Sequence, residues 1–242
     1  ANYTLTQPTT TADITGKTLT VSGITANNRV YDRTTSATDL LVKGSAALVG
    51  IQGSDNVSIS TSSATATFAN KTVASGKTVT IAGITIGGTD AGNYTLNQPT
   101  TTASITAKQL NIVGITANDR QYDATVDATS LLDTTNASLD GVIAADAVTL
   151  STNAINGVFA DKTVDTNKTI TISGNTIGGG DAANYSLVQP TASADITAKS
   201  LTIIGLTASS KVYDASASAT SLINKTNAEL VGVISGDLVS LS

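Results

Sequence analysis

The side chains of this chain that could do chemistry are its aspartates, and they recur at fixed places. The recurring positions are Asp32, Asp123 and Asp214; Asp55, Asp146 and Asp237; and Asp90 and Asp181. Calcium binds several such oxygens together, so Asp55, Asp90, Asp146 and Asp181 are candidate calcium ligands. No Asp-x-Asp-x-Asp loop is present, and aspartate in a turn commonly caps backbone N–H groups instead. Turn capping is therefore the favoured interpretation, with calcium as the alternative.

Enzyme chemistry is not expected. The 242 residues contain neither Cys nor His, which removes cysteine nucleophiles, zinc-thiolate sites and the commonest general base and metal ligand. A hydrolase needs paired carboxylates in one cleft, whereas here the acids recur in repeated turns. The net charge of −5 argues against nucleic-acid binding. No apolar run is long enough to predict membrane insertion.

A repeat period of 91 residues organises the sequence. The tyrosines at 3, 94 and 185, those at 31, 122 and 213, and the phenylalanines at 68 and 159 all keep this spacing. Such a period indicates tandem copies. We predict complete repeats over 17–107 and 108–198, the C-terminal strands of a preceding repeat over 1–16, and the N-terminal half of a following one over 199–242. We therefore expect the natural protein to be longer.

Alternation of apolar and polar residues predicts short β-strands throughout each copy. We count about seven or eight strands in each copy, a further strand over residues 2–6 before the first complete copy, and a single helical turn or irregular crossing near residues 39–41. This pattern predicts an all-β protein of tandem, immunoglobulin-like β-sandwich repeats. A β-grasp-like or other mixed fold and a continuous β-solenoid are the alternatives.

The aromatic residues are predicted to anchor the cores of the repeats rather than to stack on sugars. These core anchors are Tyr31, Phe68, Tyr122, Phe159 and Tyr213. Residues 199–242 contain only half of a repeat, so we expect their apolar face to meet water and the segment to be mobile.

The run from Asp90 to Leu96 resembles the tyrosine corner of immunoglobulin-type domains, and its second copy contains Asp181 and Tyr185. The resemblance implies that the Tyr94 hydroxyl bonds to nearby backbone while Asp90 caps N–H groups. Because Ala183 replaces Gly92, we expect ordinary backbone angles at that position.

Asn-x-Ser/Thr sequons also recur at the repeat period, which makes Asn93 and Asn184 candidate glycosylation sites. A chain this rich in Asn, Ser and Thr also produces sequons by chance.

Three ordered motifs carry a second resemblance: Val30-Tyr31-Asp32, the stretch from Ala66 to Val73, and the corner sequence. Together they resemble the YDG-type repeat of large bacterial haemagglutinin-like exoproteins and adhesins. The resemblance implies repeated extracellular modules of a surface-exposed or secreted bacterial protein. The glycine that names the family is replaced by Arg33, Ala124 and Ala215, which argues against a tight glycine turn there.

These observations favour a structural stalk or fibre segment of a bacterial surface adhesin or matrix protein. Its partners are then the neighbouring repeats of the same chain, and each repeat is expected to add on the order of 30–45 Å. The alternatives are an avidity-based glycan- or host-protein-binding module and an extracellular, biofilm-matrix filament that self-associates through strand edges.

Overall fold

The computed structural model describes residues 2–241 and contains β-strands, loops and single-turn 3-10 helices, with no α-helix in that range. The all-β class and the tandem repetition are therefore confirmed. A mixed fold loses support, because its helices would have to cover the sheet. The helical turns span Thr38–Leu40, Ala91–Asn93, Thr129–Leu131, Ala182–Asn184 and Thr220–Leu222.

Eleven short strands form the first repeat, more than the seven or eight predicted, because several pair over only two or three residues. They are β1 Lys17–Ser22, β2 Thr25–Ala26, β3 Arg29–Val30, β4 Leu41–Val42, β5 Ala47–Val49, β6 Ser58–Ser60, β7 Thr65–Phe68, β8 Ala74–Ala82, β9 Thr85–Gly87, β10 Tyr94–Leu96 and β11 Thr100–Thr106.

Two main sheets organise these strands, in the orders β10-β1-β5 and β3-β11-β8-β7, with the smaller pairs β2-β4 and β6-β9 beside them. Strand β1 pairs parallel with β10 and antiparallel with β5. In the second sheet, β11 pairs parallel with β3 and antiparallel with β8. Strands from the two ends of the repeat therefore lie side by side.

The second repeat has the same strands in the same order. They are β12 Lys108–Val113, β13 Thr116–Ala117, β14 Arg120–Gln121, β15 Leu132–Asp133, β16 Ser138–Asp140, β17 Thr149–Ser151, β18 Asn156–Phe159, β19 Asp165–Ser173, β20 Thr176–Gly178, β21 Tyr185–Val188 and β22 Thr191–Thr197. Its larger sheets have the orders β16-β12-β21 and β14-β22-β19-β18.

The core of each repeat lies on one face of its four-stranded sheet. From Lys168 onward the buried positions of β19 alternate strictly, so that Ile170 and Ile172 point inward while Thr169 and Thr171 face water. Phe159 and Ile196 from the neighbouring strands complete this cluster. Burial of each such side chain contributes about 1.5–3 kcal/mol, which makes the alternation the main determinant of strand register.

Two compact units are present in the chain. One contains the residues up to Lys108 together with Ile143–Ala145 and Ala183–Ser186, and the other contains Gln109–Val142, Asp146–Ala182 and the residues from Leu187 onward. The first unit therefore includes two short segments of the second repeat.

Residues 199–242, the partial repeat, form four strands within the described range: β23 Thr202–Ile204, β24 Thr207–Ala208, β25 Ile223–Asn224 and β26 Glu229–Val231. Many of their apolar side chains are exposed, as predicted; Ile203 and Ile204 are each nearly half exposed. At the other end, residues 2–16 form no strand, so the strand predicted over residues 2–6 is wrong. Alternation alone does not make a strand when no neighbouring strand satisfies its backbone.

The turn after each Tyr-Asp pair adopts the left-handed conformation although it contains no glycine. Arg33, Ala124 and Ala215 have φ of 71°, 65° and 60°, so the argument from sequence against a tight turn is wrong. The Asp side chains explain this, because Asp32 and Asp123 accept hydrogen bonds from the backbone N–H groups of Thr34 and Thr125. Gly92, in contrast, has no positive φ, as predicted from its replacement by alanine in the second copy.

The Ala124→Gly variant is expected to be more stable than the wild type by about 0.5–1 kcal/mol. The left-handed conformation costs an L-residue roughly 1–2 kcal/mol, and glycine removes this cost. The larger conformational entropy of glycine in the unfolded chain offsets part of the gain. Urea unfolding measures the change. Ala183→Gly is the control, because this position has no positive φ and glycine offers no relief there; equal gains in both variants would contradict the interpretation.

Candidate functional site

The strongest cluster of polar side chains surrounds the corner tyrosine of the first repeat. A helical turn at Ala91–Asn93 delivers Tyr94 to the start of β10, where the residue is 8% exposed. The hydroxyl of Tyr94 donates to Oδ2 of Asp55 at 2.6 Å and accepts from the backbone N–H of Gln52 at 2.9 Å. Both partners belong to the loop between β5 and β6. The tyrosine therefore fastens that loop to the sheet.

This geometry corrects the expectation of a bond to nearby backbone. The partners of the Tyr94 hydroxyl precede it by 39 and 42 residues, because the loop folds over the ring. Asp90 acts in the same way: its Oδ2 accepts from the backbone N–H of Asn56 at 2.8 Å and makes no capping bond to its own helical turn. The second repeat matches this, since Asp181 Oδ2 accepts from the N–H of Ala147 at 2.9 Å.

The electrostatics of the corner keep its proton in place. The hydrogen bond that Tyr94 donates to the Asp55 carboxylate raises the pKa of the phenol above its ordinary value. A phenol that holds its proton more tightly is a poorer nucleophile and base at neutral pH. The protonated hydroxyl is thus the donor that holds the loop between β5 and β6.

The corner of the second repeat makes contacts inside the first compact unit. The rings of Tyr185 and Tyr31 meet edge to face, with centroids 5.5 Å apart. The Asn184 Oδ1 accepts a hydrogen bond from the backbone N–H of Val73 at 2.9 Å. Tyr31 is 1% exposed and Asn184 is 5% exposed. The corner therefore serves a second purpose: it locks residues 183–186 to the first repeat.

The five predicted core anchors differ in how far their side chains are buried. Tyr31, Phe68 and Phe159 are at most 2% exposed, and Tyr122 is partly buried. Tyr213 is 90% exposed, so its prediction as a core anchor is wrong in this structure. The strands that cover its counterparts, β7, β8 and β11, have no equivalent in residues 199–241.

An arginine that sequence analysis overlooked holds the Tyr-Asp turn. Arg120 lies 4.8 Å from the centre of the Phe159 ring and donates to the carbonyl oxygen of Asp127 at 2.6 Å and to Oγ1 of Thr125 at 3.0 Å. It also forms an ion pair of 3.0 Å with Asp123. Its first-repeat counterpart, Arg29, lies 5.0 Å from the Phe68 ring. The recurrence of Arg29, Arg120 and Lys211 at the 91-residue period was the available signal.

A buried lysine ties down the next loop. Lys168, 8% exposed, donates to Oδ1 of Asp161 at 2.6 Å and to Oγ1 of Thr163 at 3.1 Å. The lysine ammonium and the hydrogen bonds from Thr163 hold the pKa of Asp161 far below its usual range. In the first repeat Asn70 replaces this aspartate and accepts from the amine of Lys77.

The Asp161→Asn variant is expected to lose the acid-sensitive part of the stability of the second repeat. A depressed folded pKa contributes stability above the unfolded pKa of about 4, and this contribution disappears as the pH falls below that value. The difference in urea midpoint between wild type and variant should therefore be largest near pH 7 and shrink below about pH 4. Asn70→Asp is the reciprocal control, which should introduce the same pH dependence into the first repeat; a difference independent of pH would contradict the assignment.

The predicted calcium ligands and glycosylation sites have different outcomes in the structure. Within residues 2–241 no three acidic side chains come close enough to hold a metal ion, and Asp55, Asp90 and Asp181 accept hydrogen bonds from the protein. The geometry of these aspartates therefore supports the stabilisation of loops and turns, the interpretation favoured from the sequence. A glycan on Asn184 conflicts with its burial and its bond to Val73. Asn93 is exposed, and glycosylation there stays a prediction.

No helix among the described residues is both long and apolar enough to cross a membrane.

Comparison with known proteins agrees with the repeat structure. No curated protein matches the chain. The family model of the YDG domain matches residues 15–103 and again residues 106–194. The two matches lie one 91-residue period apart and cover most of the sequence. The chain therefore belongs to the YDG domain family and contains two tandem copies of that domain.

Proposed function

We propose that these repeats are a structural spacer, a stalk or fibre segment of a bacterial surface or secreted adhesin. The observation that carries the proposal is the contact between Asn184 and Val73 together with that between Tyr185 and Tyr31. These contacts join neighbouring repeats through buried groups. A protein whose task is to hold a distal domain at a distance needs this kind of coupling between successive modules.

The use of the polar side chains supports the same proposal. The tyrosines and aspartates that recur at the repeat period bind loops of their own protein, as Tyr94 binds Asp55 and Asp90 binds Asn56. The recurring arginines and lysines do likewise, as Arg120 and Lys168 show. Groups already engaged in this way support a scaffold and do not offer a recurring ligand site.

Small-angle scattering of this chain and of versions with one, two and three additional 91-residue repeats tests the proposal. A spacer should lengthen by a constant increment, on the order of 30–45 Å per repeat, while its cross-section stays that of one domain. A maximum dimension that grows with the square root of repeat number, as for flexibly linked beads, would contradict it. Export and surface display of the parent protein, tested by surface labelling of bacteria, is the second requirement.

A further inference from the structure

The strands at the two ends of a repeat pair with each other in parallel. In the first repeat β1 lies parallel to β10, with Lys17 opposite Tyr94. Strand β3 lies parallel to β11, with Val30 opposite Thr106. The second repeat keeps the latter pairing, since β14 is parallel to β22. The strands by which the chain enters a repeat are therefore bonded to the strands by which it leaves.

The parallel orientation decides how a pull along the chain acts on these bonds. Such a pull reaches the first repeat at its entry, before Lys17, and at its exit, after Thr106. In a parallel pair the start of one strand and the end of the other lie at opposite ends of the pair. The pull therefore acts along both strands and stretches all of the bonds between them at once. In an antiparallel pair the same two points lie together, and the bonds open one after another.

The longest pairing of β11 is antiparallel and needs protection from such a pull. It joins β11 to β8, with Ile105 opposite Ala74 at the exit end and Thr100 opposite Thr80 at the other. A pull that arrived at the start of β8 would open this pair from Ala74 onward. Strand β3 lies on the other side of β11 and precedes β8 in the chain. It must therefore slide along β11 before the pull reaches β8.

Side chains strengthen the pairing of β3 with β11. The Asn28 Oδ1 accepts from the backbone N–H of Ser104 at 2.7 Å. The Thr106 hydroxyl donates to the carbonyl oxygen of Arg29 at 3.2 Å. The backbone N–H of Tyr31 donates to the carbonyl oxygen of Thr106 at 2.8 Å. These three bonds join the entry side of the repeat directly to its exit strand.

The second repeat has the same three bonds. The Asp119 Oδ1 accepts from the backbone N–H of Asp195 at 2.7 Å. The Thr197 hydroxyl donates to the carbonyl oxygen of Arg120 at 3.3 Å, and the N–H of Tyr122 donates to the carbonyl oxygen of Thr197 at 2.8 Å. Aspartate replaces the asparagine of the first repeat, but both side chains supply an oxygen at the same place. The arrangement is therefore a property of the repeat.

We propose that the parallel pair of β3 and β11, together with its three bonds, is a mechanical clamp that keeps the repeat folded under tension along the chain. The pair of β14 and β22 is the clamp of the second repeat. This inference goes beyond the spacer function, because a spacer of constant length does not have to resist force.

Force spectroscopy of the whole 242-residue chain tests the proposal by a change in the point of attachment. The chain contains no Cys, so two introduced cysteines provide unique handles. Thr15→Cys with Gln109→Cys pulls β3 and β11 along their length. Val30→Cys with Gln109→Cys pulls the same strands apart from one end, because Val30 lies opposite Thr106. All three handle positions are exposed.

The two pairs of handles should give different opening forces. About three bonds of comparable strength share the pull between residues 15 and 109, so we expect an opening force about two- to threefold higher than between residues 30 and 109 at the same pulling rate. Forced unfolding reports the barrier along the pulled direction, whereas the folded structure is the same in both chains. Equal forces, or a lower force between residues 15 and 109, would overturn the proposal.

The Asn28→Ala variant tests the bonds of the clamp. It removes one of the three bonds, so the opening force between residues 15 and 109 should fall by about a third, while that between residues 30 and 109 stays unchanged. Asn27→Ala is the matched control, because Asn27 is an adjacent, exposed asparagine and β11 bonds to Asn28 instead. An equal loss in both directions of pulling, or no loss in either, contradicts the clamp. The spacer function is judged separately by scattering, since repeats of constant length can still unfold at low force.

Discussion

Replacement of Gly174 by alanine is expected to destabilise the second repeat by about 3 kcal/mol or more. Gly174 joins β19 to β20 with a φ of 83°, and a Cβ atom placed on it would lie 1.9 Å from the carbonyl oxygen of Ala154. The left-handed conformation costs roughly 1–2 kcal/mol for an L-residue. Relief of this overlap requires a further shift of the backbone at the turn that contains Ala154, and overpacking of this kind typically costs about 1–3 kcal/mol.

Urea unfolding followed by circular dichroism measures this loss. Gly92→Ala is the matched control, since it has no positive φ, no atom within 4 Å of its added Cβ, and an alanine as its counterpart in the second copy. The control should stay within about 0.5 kcal/mol of the wild type. Equal effects of the two variants would show that the close approach at Gly174 does not constrain the fold.

Arg120→Ala is expected to have the second large effect, a loss of about 2–4 kcal/mol in the free energy of unfolding. Removal of the guanidinium takes away its contact with the Phe159 ring and leaves the carbonyl oxygen of Asp127 without this donor. Loss of one partner from a buried, charged hydrogen-bond network costs more than the same contact at the surface.

Arg120→Lys is the informative control, because the partial repeat shows a lysine in this role. The amine of Lys211 donates to Asp214 at 2.8 Å and to the carbonyl oxygens of Ser216 and Ser218 at 2.8 and 3.0 Å. The lysine variant should therefore retain about half of the stability that alanine loses. If the lysine and alanine variants lose equal stability, the contact of the guanidinium with the Phe159 ring, and not its hydrogen bonding, accounts for the loss.

Local sequence pattern predicts the features of this fold that depend on neighbouring residues. The constant spacing of the tyrosines gave the repeat period, and the alternation in β19 follows directly from its isoleucines and threonines. The helical turn at Thr38–Leu40 was also within reach. These features depend on residues a few positions apart, so the sequence itself contains them.

Contacts between segments that are distant in sequence cannot be predicted from local pattern. The loop partners of Tyr94 and the docking of Asn184 on Val73 join residues separated by 42 and 111 positions, and no local pattern specifies such a pairing. The conformation of Ala124 was missed because an aspartate, not a glycine, stabilises the turn. Tyr213 was misjudged because its pattern equals that of Tyr31, and only the presence of covering strands separates a buried ring from an exposed one.

Amide hydrogen exchange at Val73 tests most directly whether residues 183–186, the second corner, are docked on the first repeat. The Asn184→Ala variant removes the acceptor of the Val73 N–H, which lies 111 residues away in sequence. We expect exchange at Val73 to accelerate by about tenfold or more, with amides of β8 unchanged. Asn93→Ala is the control, because Asn93 is exposed. Unaltered exchange at Val73 in the Asn184 variant would contradict the docking of residues 183–186 on the first repeat.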